Sequence, residues 1–96
     1  MRYGLSERVL TEIAELARLH GLKRIVLFGS RARGDHRDTS DIDLAVSGGN
    51  IDAFALDVED QTHTLLFFDV VNIDGSVQRE LLEAIAREGR VIYEKV

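Results

Sequence analysis

The sequence predicts an α/β (α+β) fold, in which a small mixed sheet of about four strands is flanked by about three to four helices. Two periodicities support this prediction. Apolar residues recur at offsets of three and four near both ends of the chain and in its middle, which is typical of amphipathic helices. Short apolar or alternating runs lie between these segments, which is typical of strands. The predicted element order is α-β-(turn)-β-α-β-α-β.

The first half of the chain contains two strands that lead into and out of a glycine-containing turn. The predicted elements are a helix between Ser6 and Gly21, a strand Leu22–Phe28, a helical turn Ser30–Arg33 and a strand Asp41–Ser47. Ser6 can cap the helix through its side-chain oxygen, and Gly21 favours its end. The near-continuous apolar end of the first strand is typical of burial on both faces. The second strand alternates, so Ile42 and the two acids that flank it point to opposite faces.

The second half adds two helices and two strands. The predicted elements are a helix from Ile51 to Val58, a strand Leu65–Asn72, a helix between Ser76 and Gly89, and a short strand Val91–Tyr93. A Gly-Gly pair breaks the chain before Asn50, which can cap the first of these helices. Ser76 is the predicted cap of the last helix, and Gly89 is its predicted end. The strand that begins at Leu65 is almost wholly apolar, so we expect it to be buried.

Length and composition limit the classes of function. With 96 residues, 45% of them apolar, the chain suits one domain spanning residues 1–96. A net charge of −5 disfavours general nucleic-acid binding, which usually needs a basic surface. Without cysteine, the chain can form neither disulfides nor thiolate metal sites. No apolar run approaches the ~20 residues that span a bilayer, so no membrane contact is predicted and the cytoplasm is the expected compartment.

Two aspartates one residue apart are the first candidates for chemistry. Residues i and i+2 of a strand point to the same face, so Asp41 and Asp43 would project side by side. Their charges would repel and raise each other's pKa, and a divalent cation between them would relieve this repulsion. Mg²⁺ prefers oxygen ligands and usually takes one or two carboxylates plus substrate phosphates. Taken alone, the pattern favours a simpler interpretation, two solvent-facing acids on an edge strand.

Asp69 is the one acid inside the third apolar strand. An unpaired carboxylate in a buried strand costs several kcal/mol to desolvate, so Asp69 is expected to have a cation or a donor as partner. If its strand lies beside that of Asp41 and Asp43, the three carboxylates converge and suffice for two metal ions, an arrangement used in nucleotidyl transfer. A salt bridge to an arginine or lysine is the competing interpretation.

Gly29 and Ser30 follow the first buried strand, at the kind of edge where open α/β sheets bind ligands. Gly29 would let a phosphate approach the backbone, and Ser30 would offer its hydroxyl and N–H groups. Arg31 or Arg33 would neutralise phosphate charge. Ser40 precedes the acid pair, where it can hydrogen-bond a phosphate or cap the loop. No Walker A loop is present, and a Gly-Ser turn is common by itself.

The combination of these motifs is more specific than any one of them. Gly29-Ser30, ten residues, Asp41-x-Asp43 and a lone acid in a later strand resemble the signature of the DNA polymerase β superfamily of nucleotidyltransferases. The local sequence F-G-S-R-A-R-G-D followed by S-D-I-D-L resembles one branch more closely, the minimal nucleotidyltransferase (MNT) antitoxins that pair with HEPN-domain toxins. The resemblance extends over nearly the whole chain, including the closing E-G-R-V-I-Y-E from Glu88 to Glu94.

The resemblance implies a magnesium-dependent transfer of AMP from ATP, with release of pyrophosphate. It implies that Ser30, with Gly29, holds the β- and γ-phosphates, and that Asp41 and Asp43 bind both of two Mg²⁺ ions. It further implies that Asp69 binds the catalytic ion and serves the incoming hydroxyl as general base or base-positioner. The implied acceptor is a tyrosine hydroxyl of a HEPN ribonuclease toxin.

Other functions remain open from the sequence. A non-catalytic binding module would neutralise the partner by forming a complex with it. A transferase acting on a small molecule or on an RNA end would need no HEPN protein. No sequence feature fixes the nucleotide preference, the partner-binding surface or the oligomeric state, and a homo-oligomer is compatible with the composition.

Overall fold

The computed structural model describes residues 1–96 and contains helices and strands in the predicted order. In chain order the elements are α1 (Glu7–Leu19), β1 (Arg24–Phe28), α2 (Ser30–Arg33), β2 (Ile42–Ser47), α3 (Ile51–Gln61), β3 (Phe68–Asn72), α4 (Arg79–Glu88) and β4 (Arg90–Glu94). None of these helices combines the length and apolar character needed to cross a bilayer.

The four strands form one mixed sheet in the order β3-β2-β1-β4. β1 pairs antiparallel with both β2 and β4, whereas β2 and β3 are parallel. Because β1 and β2 run in opposite directions, the end of β1 lies beside the start of β2. Because β2 and β3 run in the same direction, the start of β3 lies at that same end of the sheet, where the end of β1 and the start of β2 meet.

Apolar side chains pack on both faces of the sheet. The larger core contains 16 buried residues, among them residues of α1, α3 and the facing side of the strands. A smaller cluster of four, Val26, Phe28, Ala45 and Ile85, lies on the opposite face beneath α4. Asp69 and Phe67, two residues before it, are exposed, so α4 does not cover the start of β3 on this face.

Local sequence explains where the two longest helices begin and how α1 ends. The Ser6 hydroxyl accepts a hydrogen bond from the Val9 N–H at 3.1 Å, and the Asn50 side chain accepts one from the Ala53 N–H at 3.2 Å. Both are N-caps that satisfy a free donor of the first turn. After α1, Gly21 has a φ of 68°, and Leu22 donates back into the last turn, which forms a Schellman end.

Two predicted features of the second half were wrong. α4 begins at Arg79 with Gln78 at its N-cap position, not Ser76, because the backbone is still extended at Gln78 (φ −62°, ψ 143°). β3 begins at Phe68 rather than Leu65, and it is an edge strand with no fully buried residue. It pairs only with β2, so its other edge has no strand beside it, and an apolar sequence was not sufficient to bury it.

Candidate active site

Two of the predicted acids lie side by side on neighbouring strands. Asp43 is the second residue of β2 and Asp69 the second residue of β3, and the parallel register pairs them directly. Directly paired residues of parallel strands point to the same face. Asp41 immediately precedes β2 and is exposed, as is Asp69, whereas Asp43 is half-buried. The strand ends at one end of the sheet therefore carry all three predicted carboxylates, with Asp43 in the middle.

The electrostatics of Asp43 reflect this crowding. Burial raises the pKa of the Asp43 carboxyl above its ordinary value of 3.8, and the charges of Asp69 and Asp41 raise it further. Arg33 and Arg31 act in the opposite direction without cancelling the effect. A half-buried carboxylate that is repelled by two others is a favourable position for a divalent cation with oxygen ligands. In their present rotamers, however, no three acidic or histidine side chains come close enough together to enclose a metal ion.

Asp69 has a different environment from the one the sequence predicted. It is exposed on an edge strand, so the argument that burial demands a partner does not apply to it. No salt bridge to an arginine or lysine involves Asp69, which removes the competing interpretation. The pairing with Asp43, rather than desolvation, is what connects Asp69 to the candidate site.

The Gly29-Ser30 turn lies against the same acids. Phe28, the last residue of β1, pairs with Asp43 across the antiparallel register, so Gly29 follows directly beside that carboxylate. Gly29 has a φ of 75°, and a Cβ at this position would collide with the Asp43 carboxylate. The left-handed φ favours glycine here, and any side chain at this position would require the Asp43 carboxylate to move. Ser30 begins α2 and is half-buried at the same end of the sheet.

Arg31 has a structural setting that the sequence did not indicate. Its side chain is 1% exposed, and its guanidinium donates to the main-chain carbonyls of Tyr3 (3.0 Å), Asp38 (3.1 Å) and Ser40 (2.8 and 3.1 Å). Burial lowers the pKa of Arg31, and the charges of Asp38 and Asp43 oppose this shift. With most of its donors engaged, Arg31 is better suited to holding the 35–40 loop than to the predicted contact with phosphate.

Ser40 contributes to the same loop. Its hydroxyl accepts a hydrogen bond from the Arg37 N–H at 2.9 Å, and its carbonyl accepts from Arg31. Of the two roles that the sequence allowed for the side chain, this contact favours shaping the loop. Asp41 follows Ser40 directly, so the hydrogen bonds of Arg31 fix the main chain from which the acid pair departs.

Arg33 is the predicted cation that stays accessible. Its side chain is 45% exposed and pairs with Asp35 at 3.2 Å and with Glu88 at 3.1 Å. Glu88, the last residue of α4, also accepts a hydrogen bond from the Gly29 N–H at 3.3 Å. No local pattern indicates this contact, because Glu88 lies 59 residues from Gly29. A surface groove lined by Lys23, Ser47 and Lys95 lies at the other end of β1 and touches none of these residues.

At one end of its mixed sheet, the protein brings together an acid pair, a third acid and a Gly-Ser turn. This arrangement is typical of the nucleotidyltransferase class. A family model described as "Polymerase beta, Nucleotidyltransferase" matches residues 11–96. Because this match covers most of the chain, the chain belongs to the polymerase β nucleotidyltransferase family.

Individual relatives agree with this assignment. The chain is similar to a provisionally named protein adenylyltransferase of Methanocaldococcus jannaschii, MJ0604, with 36% identity over 85 residues, covering 75% of this chain and 79% of the relative. A solved structure, provisionally described as a minimal nucleotidyltransferase, has a TM-score of 0.69 and 28% identity, and covers 94% of this chain and 95% of the other.

A further solved structure, a toxin–antitoxin with AMP-PNP, contains a chain with a TM-score of 0.73 at 23% identity, covering 90% of this chain and 73% of the other. At that identity the likeness concerns the fold alone. The predicted fold class and the resemblance to minimal nucleotidyltransferases are confirmed, and the chain is an enzyme of the nucleotidyltransferase class.

Proposed function

We propose that this protein is an antitoxin that transfers AMP from ATP to a tyrosine hydroxyl of a partner HEPN ribonuclease toxin, with Mg²⁺ as cofactor. The observation that carries the proposal is the direct pairing of Asp43 with Asp69 beside the Gly29 turn. Support for protein as acceptor comes from the name of the M. jannaschii relative. Support for a toxin partner and for an adenine nucleotide comes from the toxin–antitoxin with AMP-PNP.

The residues of this chain have distinct roles in the proposed reaction. Gly29 and Ser30 hold the β- and γ-phosphates, and Arg33 supplies positive charge beside them. The acceptor oxygen forms a bond to the α-phosphorus while the bond to pyrophosphate breaks, and the hydroxyl proton passes towards the Asp69 carboxylate. Asp41, Asp43 and Asp69 would hold Mg²⁺, whose chemistry is to neutralise phosphate charge and align the reacting oxygens.

The acceptor is proposed to approach over the open part of the sheet next to β3. Phe67 is 72% exposed and Leu65 is fully exposed, although both are large apolar residues. Phe68 packs against the larger core, so alternation places Phe67 on the same side as Asp69. Exposed apolar side chains next to a site are typical of contacts with another protein. Such a contact would bring a tyrosine of the partner towards Asp69.

A second candidate function is neutralisation by binding alone. The observation that favours it is the exposure of the apolar side chains of Leu65 and Phe67 next to the site. This function would use the same apolar residues near β3 and no nucleotide. Transfer to a small molecule or to an RNA end is a third candidate, which requires the acids but not the partner.

The experiment is a transfer assay with ATP labelled at the α-phosphate. The protein is incubated with the labelled ATP, Mg²⁺ and the co-expressed partner, and label on each protein is measured after electrophoresis. The proposed function predicts label on the partner, and none after chelation of Mg²⁺. The double variant Asp41→Asn/Asp43→Asn should be inactive, whereas Asp60→Asn, a change at an exposed residue of α3, should behave as the unaltered protein.

Each alternative gives a different result in that assay. Toxin neutralisation that survives in the double variant, with no label transferred by the unaltered protein, would support the binding module and reject the enzyme. Label on RNA or on a small molecule in the absence of partner would support the third candidate.

A further inference from the structure

The Glu88 carboxylate accepts hydrogen bonds from two donors that could also bind a phosphate. One of its oxygens, Oε1, accepts from both the Gly29 N–H at 3.3 Å and Arg33 Nη1 at 3.1 Å. Its side chain is 17% exposed, although Glu88 is the last residue of a surface helix. A main-chain N–H and a guanidinium that converge on one anionic oxygen are also the donors by which proteins bind phosphate.

We propose that Glu88 is a positioning residue of the nucleotidyl-transfer site, which holds Gly29 and Arg33 in the nucleotide-free protein and is displaced by the triphosphate. This inference rests on the proposed function, in which the Gly29-Ser30 turn receives the phosphates. Glu88 keeps Arg33 directed at the turn before nucleotide arrives. It also makes weakly bound anions compete with a tethered carboxylate for the same donors.

Electrostatics favour the displacement. Gly29 lies against the Asp43 carboxylate, and Asp43 is already repelled by Asp69 and Asp41. A triphosphate at the turn would add further negative charge next to Glu88 and would need the Oε1 position for its own oxygen. Release from Glu88 frees Nη1 of Arg33 for the phosphate, while Nε stays paired with Asp35. The negative charge of Glu88 then moves away from the site.

A purely structural role for Glu88 is less consistent with the packing of α4. The helix is anchored by Ile85, which is 7% exposed and belongs to the smaller core. Its end is closed by a main-chain hydrogen bond from the Gly89 N–H to the Ile85 carbonyl at 2.8 Å. Gly89 itself packs so tightly against Val26 and Ile85 that it has no room for a side chain. The helix is therefore fixed to the sheet without the Glu88 side chain.

The test compares three variants of the full chain. Glu88→Gln keeps the shape and removes the charge, and Glu88→Asp keeps the charge but shortens the reach to Gly29. Glu83→Gln removes a charge from an exposed position of the same helix and is the control. Binding of inorganic tripolyphosphate, and of ATP with Mg²⁺, is measured by calorimetry. KM for ATP and kcat are measured in the transfer assay.

The proposal predicts that Glu88→Gln binds tripolyphosphate and ATP about three- to tenfold more tightly than the unaltered protein, because a charge-assisted competitor is removed. KM for ATP should fall by the same factor while kcat changes by less than about twofold. Glu88→Asp should give a smaller gain in affinity, and Glu83→Gln none.

Unchanged or weaker tripolyphosphate binding by a folded Glu88→Gln protein would overturn the inference while leaving the proposed function intact. A fall in kcat without a fall in KM would also overturn it, since this indicates structural damage. Failure of the unaltered protein to bind ATP with Mg²⁺ would instead reject the proposed function, and the inference with it.

Discussion

Asp69 of β3 lies directly opposite Asp43 of β2 in a parallel register. A slip of β3 by one residue would turn Asp69 to the face of the sheet that α1 and α3 cover. Phe68 and Val70 pack against that larger core, so their burial opposes such a slip. The alternating side chains of β3 thus determine whether the third acid can reach the site.

Removing the charge of Asp43 should stabilise the nucleotide-free protein. Its pKa is raised on folding, so the carboxyl contributes stability that is fully present below pH 3.8 and is lost as the pH rises through the folded-state pKa. At pH 7 the ionised group therefore opposes folding. We expect Asp43→Asn to increase the free energy of unfolding at pH 7 by up to about 1 kcal/mol, measured by urea denaturation without metal.

The gain for Asp43→Asn should disappear at about pH 3, where the carboxyl is protonated in both states. Asp60→Asn should show no comparable gain. A variant less stable than the unaltered protein at pH 7 would contradict the prediction. The same Asp43→Asn protein should be inactive in the transfer assay. The charge of Asp43 would then be needed for activity although it lowers stability.

Gly29 and Gly21 provide a matched pair for a test of the turn. Both have a left-handed φ, 75° and 68°, but a Cβ would collide with Asp43 only at Gly29, whereas Gly21 has open space around it. Gly21→Ala should cost only backbone strain, about 1–2 kcal/mol. Gly29→Ala should cost more and should abolish transfer, as measured by thermal denaturation and α-phosphate labelling. Equal losses of stability would show that the Asp43 contact does not constrain the turn.

Arg31→Lys should be destabilising although it conserves the charge. A lysine cannot reproduce the fork that reaches three carbonyls, so main-chain acceptors of the 35–40 loop would be left unpaired. We expect a loss of about 2–4 kcal/mol in the free energy of unfolding, together with loss of transfer through a misplaced Asp41. Arg37→Lys, a change at an exposed residue of the same loop, should cost less than about 0.5 kcal/mol. A stable Arg31→Lys protein with weakened ATP binding alone would instead favour the phosphate contact.

The contacts between Glu12 and His63 should make the stability of the protein depend on acid pH. Burial raises the pKa of Glu12, but hydrogen bonds from the main-chain N–H and the ring of His63 outweigh it, and the net pKa lies below 4.5. A lowered pKa gives stability that is present above pH 4.5 and is lost as the pH falls through the folded-state pKa. Glu12→Gln should therefore show a shallower decline in melting temperature on acidification. Glu15→Gln is the exposed control, and parallel curves for all three proteins would disprove the role of Glu12.

Leu65→Ser combined with Phe67→Ser should weaken partner binding without affecting ATP binding. The two side chains are exposed, so their replacement costs little stability, and their apolar area is available to a partner. Retention of the partner in a two-step affinity purification would fall, while calorimetry with ATP and Mg²⁺ would be unchanged. Leu19→Ser alters an exposed leucine on α1 and should retain the partner. Equal retention by all three proteins would place the partner surface elsewhere.

The sequence predicted the parts of the site that depend on local spacing. Asp41 and Asp43 follow from strand alternation, and the Gly29 turn from its position after a buried strand. The apolar strand around Asp69 predicts a buried acid that needs a partner, whereas Asp69 is connected to the site by its register with Asp43. That register depends on the packing of whole strands, which no short motif specifies. The main-chain carbonyls bound by Arg31 and the reach of Glu88 to Gly29 are long-range contacts, and they were missed for the same reason.

The position of β3 at the edge of the sheet has a consequence for the exchange of its amide hydrogens. Phe68 directs its N–H away from β2, towards the Glu59 side chain on α3, at 2.9 Å. A strand held by one neighbour and a side chain opens more easily than β1, which lies between two strands. Deuterium should therefore enter β3 well before β1. A partner protein bound along the unpaired edge of β3 would slow this exchange. Binding of the partner would therefore stabilise the strand that carries the third carboxylate.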